Sequence, residues 1–410
     1  MQRYGAYKDS GVEWIGEIPA GWEVVNLSAL ATQRKRKNIG SIEGNVLSLS
    51  YGRIKRRIID NSGLLPESFE TYNVIEPGDI VLRLTDLQND QVSLRVGRSD
   101  ERGIITSAYC TLNPNNVDSR YLFDILACFD YQKGFYGLAG GVRQGLTFDG
   151  IKGLKFPLPS IREQQAIADY LDEKTAEIDS IVSQTERSIE LLREYRKSVI
   201  SEAVTKGLDP NAPMRDSGVE WIGEIPAGWE LCRLRYLSEI GTGDSDTQDA
   251  DPEGEYPFFV RSPVVERSNS YSFEGEAILM AGDGAGAGRV FHHAFGKYAV
   301  HQRVYRIACN GRAQVRFLLY SLSSIFPLVM DMGSAQSTVP SVRKPMLDNL
   351  FIPTPRFSEQ QAIADYLDAK TAEIDSLIAD KQRQVELLRE YRKSLISEAV
   401  TGKFKVPGLE

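Results

Sequence analysis

Long apolar runs are missing from these 410 residues. No stretch of ~18 apolar residues occurs, so nothing reads as a membrane span. The start, Met1-Gln2-Arg3-Tyr4-Gly5, has no apolar core and does not read as a signal peptide. The four cysteines (Cys110, Cys128, Cys232, Cys309) are scattered. Without a C-x-x-C pair they argue against a zinc knuckle or redox motif, and they fit free thiols in a reducing cytoplasm. The three histidines (His292, His293, His301) have no metal-ligand spacing and read as strand or surface residues. No P-loop, G-x-S-x-G or paired catalytic carboxylates are present, and Asn113-Pro-Asn-Asn116 departs from an adenine methyltransferase motif. Net positive charge is lacking too: the balance is −8, which taken globally disfavours binding to phosphates.

What the chain does have is repetition. Asp9-Ser-Gly-Val-Glu-Trp-Ile-Gly-Glu-Ile-Pro-Ala-Gly-Trp-Glu23 recurs unchanged 207 residues later as Asp216–Glu230. Glu163-Gln-Gln-Ala-Ile-Ala-Asp-Tyr-Leu-Asp172 recurs 196 residues later as Glu359–Asp368, and the match continues to Val204-Thr205 and Val400-Thr401. The chain therefore divides into a frame (1–23), a block (24–160), a long helix (161–206), a linker with the second frame (207–230), a second block (231–356), a second long helix (357–402) and a tail (403–410). The blocks share little beyond closing segments, Leu154–Pro159 and Leu350–Pro355. Identical frames suggest docking surfaces for two copies of one partner. Differing blocks suggest two ligands, or two versions of one; drift after a recent duplication is the alternative.

Residues 161–205 and 357–401 lack proline and glycine and are rich in helix formers. A 3.5-residue seam runs through Ile167, Leu171, Lys174, Ile178, Ile181, Thr185, Ser188, Leu192, Tyr195 and Val199, and through the equivalents Ile363 to Leu395. Val182, Ile189, Ile378 and Val385 lie beside it and widen the stripe. Ser160-Ile-Arg-Glu163 is a capping box at the first helix start, while Arg356 replaces the serine in the second copy. About 45 residues give a helix of roughly 65 Å. Two copies in one chain predict an intramolecular antiparallel pair with pseudo-twofold character, rather than a coiled coil between chains.

Each block alternates short apolar runs with Pro-Gly turns and ends in a helix, so each is expected to be an α+β head. Gly282-Asp-Gly-Ala-Gly-Ala-Gly288 follows an expected strand, but a strand rather than a helix follows it. It reads as a tight turn, not a dinucleotide cradle. Base readout needs polar and basic loop residues. Candidates are Arg34, Lys35, Arg36, Ser50, Tyr51, Arg53, Lys55, Arg56, Arg57, Arg83, Arg143 and Gln144 in the first head. In the second they are Arg261, Ser262, Arg289, His301, Gln302, Arg303, Gln336, Ser337 and Arg343.

Two divergent blocks, each closed by a near-identical helix beginning Glu-Gln-Gln-Ala-Ile-Ala, resemble the specificity subunits of type I restriction–modification systems. The repeated segments that hold all four tryptophans fit the resemblance. It implies that residues 24–160 and 231–356 are target-recognition domains, each reading half of a bipartite, asymmetric double-stranded DNA site. It implies a spacer of paired helices that docks two modification (methyltransferase) subunits, with Trp14, Trp22, Trp221, Trp229, Tyr170 and Tyr366 as candidate docking residues. S-adenosylmethionine, and ATP with magnesium, would belong to modification and restriction subunits; this chain would carry no cofactor, metal or catalytic residue and would be cytoplasmic. A tandem coiled-coil scaffold with no DNA role is the rival reading, favoured by the acidic balance.

Overall fold

The computed structural model describes residues 2–57, 68–87, 94–138, 145–333 and 340–409. Arg143, Gln144, Gln336 and Ser337 lie outside the described residues. The chain forms two units, Met1–Thr185 with Arg383–Glu410, and Glu186–Gln382. The division passes through both long helices, not at the junctions between heads and helices. Each unit thus holds one frame, one head and part of each long helix. No described helix is long and apolar enough to cross a membrane.

Both heads are α+β and repeat one plan. In the first unit a frame hairpin pairs Tyr7–Asp9 with Glu17–Pro19. Strand Glu23–Asn26 then pairs antiparallel with Lys155–Leu158, so the shared closing segment seals the head onto its frame. A four-stranded sheet orders Ala31–Gln33, Cys110–Pro114, Ile80–Leu82 and Val96–Arg98. The second unit repeats each step: hairpin Met214–Asp216 with Glu224–Pro226, closing pair Glu230–Arg233 with Phe351–Thr354, and the sheet Ser238–Thr242, Val304–Cys309, Ala277–Ala281, Phe291–Ala294. Several runs that look continuous in sequence are two strands. Asn73–Leu84 breaks at Pro77-Gly78, where Gly78 takes φ +91°, and Tyr298–Ile307 breaks at His301–Arg303. The second head adds a sheet ordered Glu266–Ser268, Tyr256–Phe259, Lys297–Val300, Phe273–Glu274.

Two helices of the heads meet the two long ones. Helix α1 (Ser119–Tyr131) and helix α3 (Val315–Gly333) belong to the heads. Helix α2 (Ile161–Lys206) and helix α4 (Phe357–Val400) are the long ones. The long helices run antiparallel. In the first unit Arg392 Nε lies 3.0 Å from Asp179 Oδ1, and Val182 and Val385 share a core. In the second, Ile189 packs with Ile374 and Ile378, and Arg196 Nε lies 2.9 Å from Asp375 Oδ1.

The seam is shifted from its expected phase. Ile178, Thr185 and Val199 are buried as expected, but between them the buried residues are Val182 and Ile189. Ile181 and Tyr195 are exposed, as are their equivalents Leu377 and Tyr391. The two phases differ by one residue per heptad. Burying Ile189 in place of Ser188, and Val385 in place of Gln384, decides between them.

Candidate nucleic-acid interface and its support

The head–helix joint is built twice on the same glutamate–glutamine pair. At the start of α2 the Ser160 amide and hydroxyl donate to Glu163 Oε2, and the Glu163 amide donates back to Ser160 Oγ. The other carboxylate oxygen accepts the Trp22 indole N–H at 3.0 Å. In the second unit Trp229 Nε1 donates to Glu359 Oε1, also at 3.0 Å. No serine stands at position 356; the amides of Glu359 and Gln360 donate to the Arg356 carbonyl instead. The following glutamine ties in the head. The Gln164 side chain donates to the Pro159 carbonyl and accepts from the Asp118 amide, at the residue capping α1. Gln360 does the same with the Pro355 carbonyl and the Gln314 amide, just before α3. Arg120 of α1 reaches Asp169 at 2.6 Å and Asp172 at 2.9 Å. Arg316 of α3 reaches Asp365 at 2.7 Å and also pairs with Asp368.

The repeated Glu-Gln-Gln motif thus fixes each head at one angle to its long helix. Gln164 and Gln360 are buried, so their paired amides replace water that cannot reach them. Arg120 and Arg316 escaped notice in the sequence. The signal was there: Arg120-Tyr-Leu and Arg316-Phe-Leu are separated by the same 196 residues as the long helices.

This geometry corrects the docking role expected of the tryptophans. Trp22 and Trp229 are buried and spend their only donor inside the joint. Trp14 packs edge-on against Phe129 and Phe156 in the first core, and Trp221 is half-buried between two clusters of the second unit. They offer little surface to a partner. Tyr366 is exposed, whereas Tyr170 is partly buried against Phe404. Exposed apolar side chains do exist nearby on the long helices. Leu191 and Tyr195, one turn apart on α2, recur as Leu387 and Tyr391 on α4. Burial first, and then the neighbouring Tyr391, push the Tyr170 hydroxyl above its ordinary pKa. Lys370, bound to Glu373 at 2.8 Å, has both Tyr195 and Tyr366 within electrostatic reach.

In the first head the hairpin Leu47–Ser50 with Arg53–Arg56 gathers Ser50, Tyr51, Arg53, Lys55 and Arg56. Tyr51 stands exposed at its tip with φ +48°. Arg53 reaches Asp179 of α2 at 3.4 Å, and Arg56 is bound by Glu101 at 2.6 Å. Arg34 is pinned between Asp79 (2.7 Å) and Asn113 (2.6 Å), Arg36 pairs with Glu76, and Arg83 faces Asp86 at 3.9 Å. Lys35, Lys55 and Arg57 are exposed.

The second head is more convergent. Arg261 and Arg303 both bind Asp283, at 2.9 and 2.7 Å, beside the glycine loop. The Val342 amide donates to the Gly282 carbonyl, bringing the Arg343 segment alongside. Gln302 donates to Asp246. His301 is buried, accepts the Arg303 amide at Nδ1 and lies near Thr247, so it holds the shape of this loop. The Ser262 hydroxyl is turned back to the Val264 amide. Arg289 lies elsewhere, paired with Asp331 of α3. Asp283 and Asp246 were missed in sequence, because acidic residues are unexpected in a surface meant for phosphates.

Residues 96–191 and 226–387, more than half of the chain, match the family model for the type I restriction modification DNA specificity domain. The chain is similar to the type I restriction enzyme EcoDI specificity subunit of Escherichia coli, 30% identical over 44% of this chain and 39% of that protein. It is similar over nearly its whole length to the type I restriction enzyme MjaVIII specificity subunit of Methanocaldococcus jannaschii, 23% identical over 96% of this chain and 95% of that one. Among solved structures, a chain from a study of complex assembly and conformational transition of the type I R-M system has a TM-score of 0.71 at 16% identity, covering 93% of this chain and 98% of its own. The HsdS subunit from Thermoanaerobacter tengcongensis has a TM-score of 0.50 at 16% identity, covering 97% and 99%. At such identities these likenesses concern the fold.

Proposed function

The chain belongs to the type I restriction modification DNA specificity family, and from that premise we propose that it is the non-catalytic reader that selects the DNA site for a type I enzyme. Each head reads one half of a bipartite, asymmetric site. The paired long helices set the gap between the halves. The observation that carries this reading is one joint built twice, from Glu163 and Gln164 and again from Glu359 and Gln360, under two different heads. A duplicated support fits two copies of one partner, and unlike heads fit an asymmetric target.

The partners are two modification subunits, which carry S-adenosylmethionine and methylate adenine, and restriction subunits that cleave using ATP and magnesium. Docking falls to the exposed pairs Leu191/Tyr195 and Leu387/Tyr391, with Tyr366 and Tyr170 beside them. Paired aromatic and aliphatic side chains on a helix face suit a partner helix laid along it. The acidic balance is compatible with this role, since contact with phosphates is local.

A gel shift of the full chain with its modification subunits, repeated across salt concentrations, tests the proposal. Sequence-selective binding that weakens with salt is expected. Absence of sequence-selective binding at low salt would overturn it, and absence of any DNA binding would return the chain to the scaffold reading.

A further inference from the structure

The glycine loop of the second head holds an arrangement that half-site reading as such does not require. Gly282–Gly288 is stitched to two strand ends. A Cβ on Gly282 would lie 2.8 Å from the Arg303 carbonyl oxygen, and one on Gly286 would lie 2.8 Å from that of Arg261. Only glycine lets three backbone segments close to this distance. The loop then carries Asp283 between the two arginines. Its carboxylate uses one oxygen for Arg261 Nη1 and the other for Arg303 Nη1. Asp283 is mostly buried, whereas the Arg261 and Arg303 side chains are 42% and 60% exposed. Each guanidinium therefore keeps donors directed away from the carboxylate. Gly288 lies against Phe326 and Met330 near the C-terminal end of α3, whereas Arg316, near its N-terminal end, makes the joint.

Resting on the proposal that this head reads DNA, we infer that Arg261, Asp283 and Arg303 form a buttressed reader of guanine in the second half-site. Arg261 and Arg303 offer donors to the O6 and N7 acceptors of guanine in the major groove, and Asp283 is the positioning residue that holds both forks at a fixed angle. A free arginine carries much rotamer entropy, and holding it in advance lowers the cost of a bidentate contact. The carboxylate also repels the phosphate backbone. An arginine next to it gains less from a phosphate than a lone arginine would, which favours a base edge over the backbone.

The test uses the full chain assembled with its modification subunits and duplexes in which each base of the mapped site is varied singly. R303A and R261A should lower discrimination at a guanine position of one half-site by about tenfold or more. D283N should lower it by roughly three- to tenfold while raising binding to unrelated DNA, and D283E should restore part of it. The other half-site should be read unchanged in every variant, which guards against misfolding. Equal loss across all sequences, with a shallower salt slope, would make these arginines phosphate contacts and overturn the inference. So would variants that read both half-sites as the wild type does, although the broader reading would then stand. A wild-type complex with no sequence preference would remove both.

Discussion

Among single residues, Asp124 marks the sharpest difference between the two joints. It lies on α1 one turn after Arg120, where α3 has Tyr320. Tyr320 donates its hydroxyl to Asp368. Asp124 instead brings a second carboxyl near Asp172. Burial first, and then Asp172, push its pKa to about 8 against the opposing pull of Arg392 and Arg120. A carboxyl whose pKa rises on folding makes the native state bind more protons than the unfolded one. Its stabilising contribution is therefore complete below about pH 4 and is lost as pH rises towards 8. Asp124→Asn should flatten this slope and raise stability at pH 8 by about a few kcal/mol, read as melting temperature against pH. An unchanged slope would show that the carboxyl is not protonated in the folded protein. The helix-ending glycines make a second residue-scale contrast. A Cβ on Gly402 (φ +70°) would lie 2.4 Å from Pro19, whereas one on Gly207 (φ +77°) would lie 3.1 Å from the edge of Trp229. Both alanine variants carry about 1–2 kcal/mol of left-handed strain. Gly402→Ala should lose clearly more stability in denaturant unfolding, because a proline ring in a hairpin cannot turn aside. A glycine directly after a long run of helix formers marks a helix end in the sequence. What these two glycines pack against was not legible, since those contacts join residues far apart in the chain.

Among elements, the long helices were the most legible part of the chain. Their composition and repeated ends mark them without any structure. Their phase was harder to read, because two apolar stripes lie one residue apart. A stripe read by spacing alone cannot weigh Ile189 against Ser188, and burial did. The stripe left outside is the more interesting one, since it holds Leu191, Tyr195, Leu387 and Tyr391. Replacing Leu191 and Tyr195 by alanine should remove one modification subunit from the assembly, measured as complex mass, with little change in melting temperature. Replacing all four should remove both. Retention of both subunits would move the docking surface elsewhere. Inserting seven residues after Thr185 in α2 and after Gln382 in α4 adds about 10 Å to each helix. The gap in the recognised site should then grow by roughly three base pairs, with neither half-site altered. The heads were less legible than the helices. Their strands are short and broken by turns, and their shared sheet order appears only when residues such as Cys110–Pro114 and Val304–Cys309 are placed between their partners.

For the whole molecule, the central matter is what a constant support does with variable heads. Net charge alone pointed away from DNA, and no catalytic motif pointed anywhere. The repeat carried the inference, because two identical supports under unlike heads have little use in binding a single symmetric ligand. The same logic makes the heads exchangeable. Replacing residues 24–160 with the corresponding block of a relative should change one half-site and leave the other, since Gln164 and Asp169 would meet an equivalent head helix. The most direct measurement is a genome-wide map of methylated adenines in cells with and without this chain and its modification partners. A reader with two unlike heads predicts methylation, dependent on this chain, at a split and non-palindromic site whose halves are separated by a fixed gap. Methylation confined to one continuous or palindromic motif, or unchanged when the chain is removed, would contradict it.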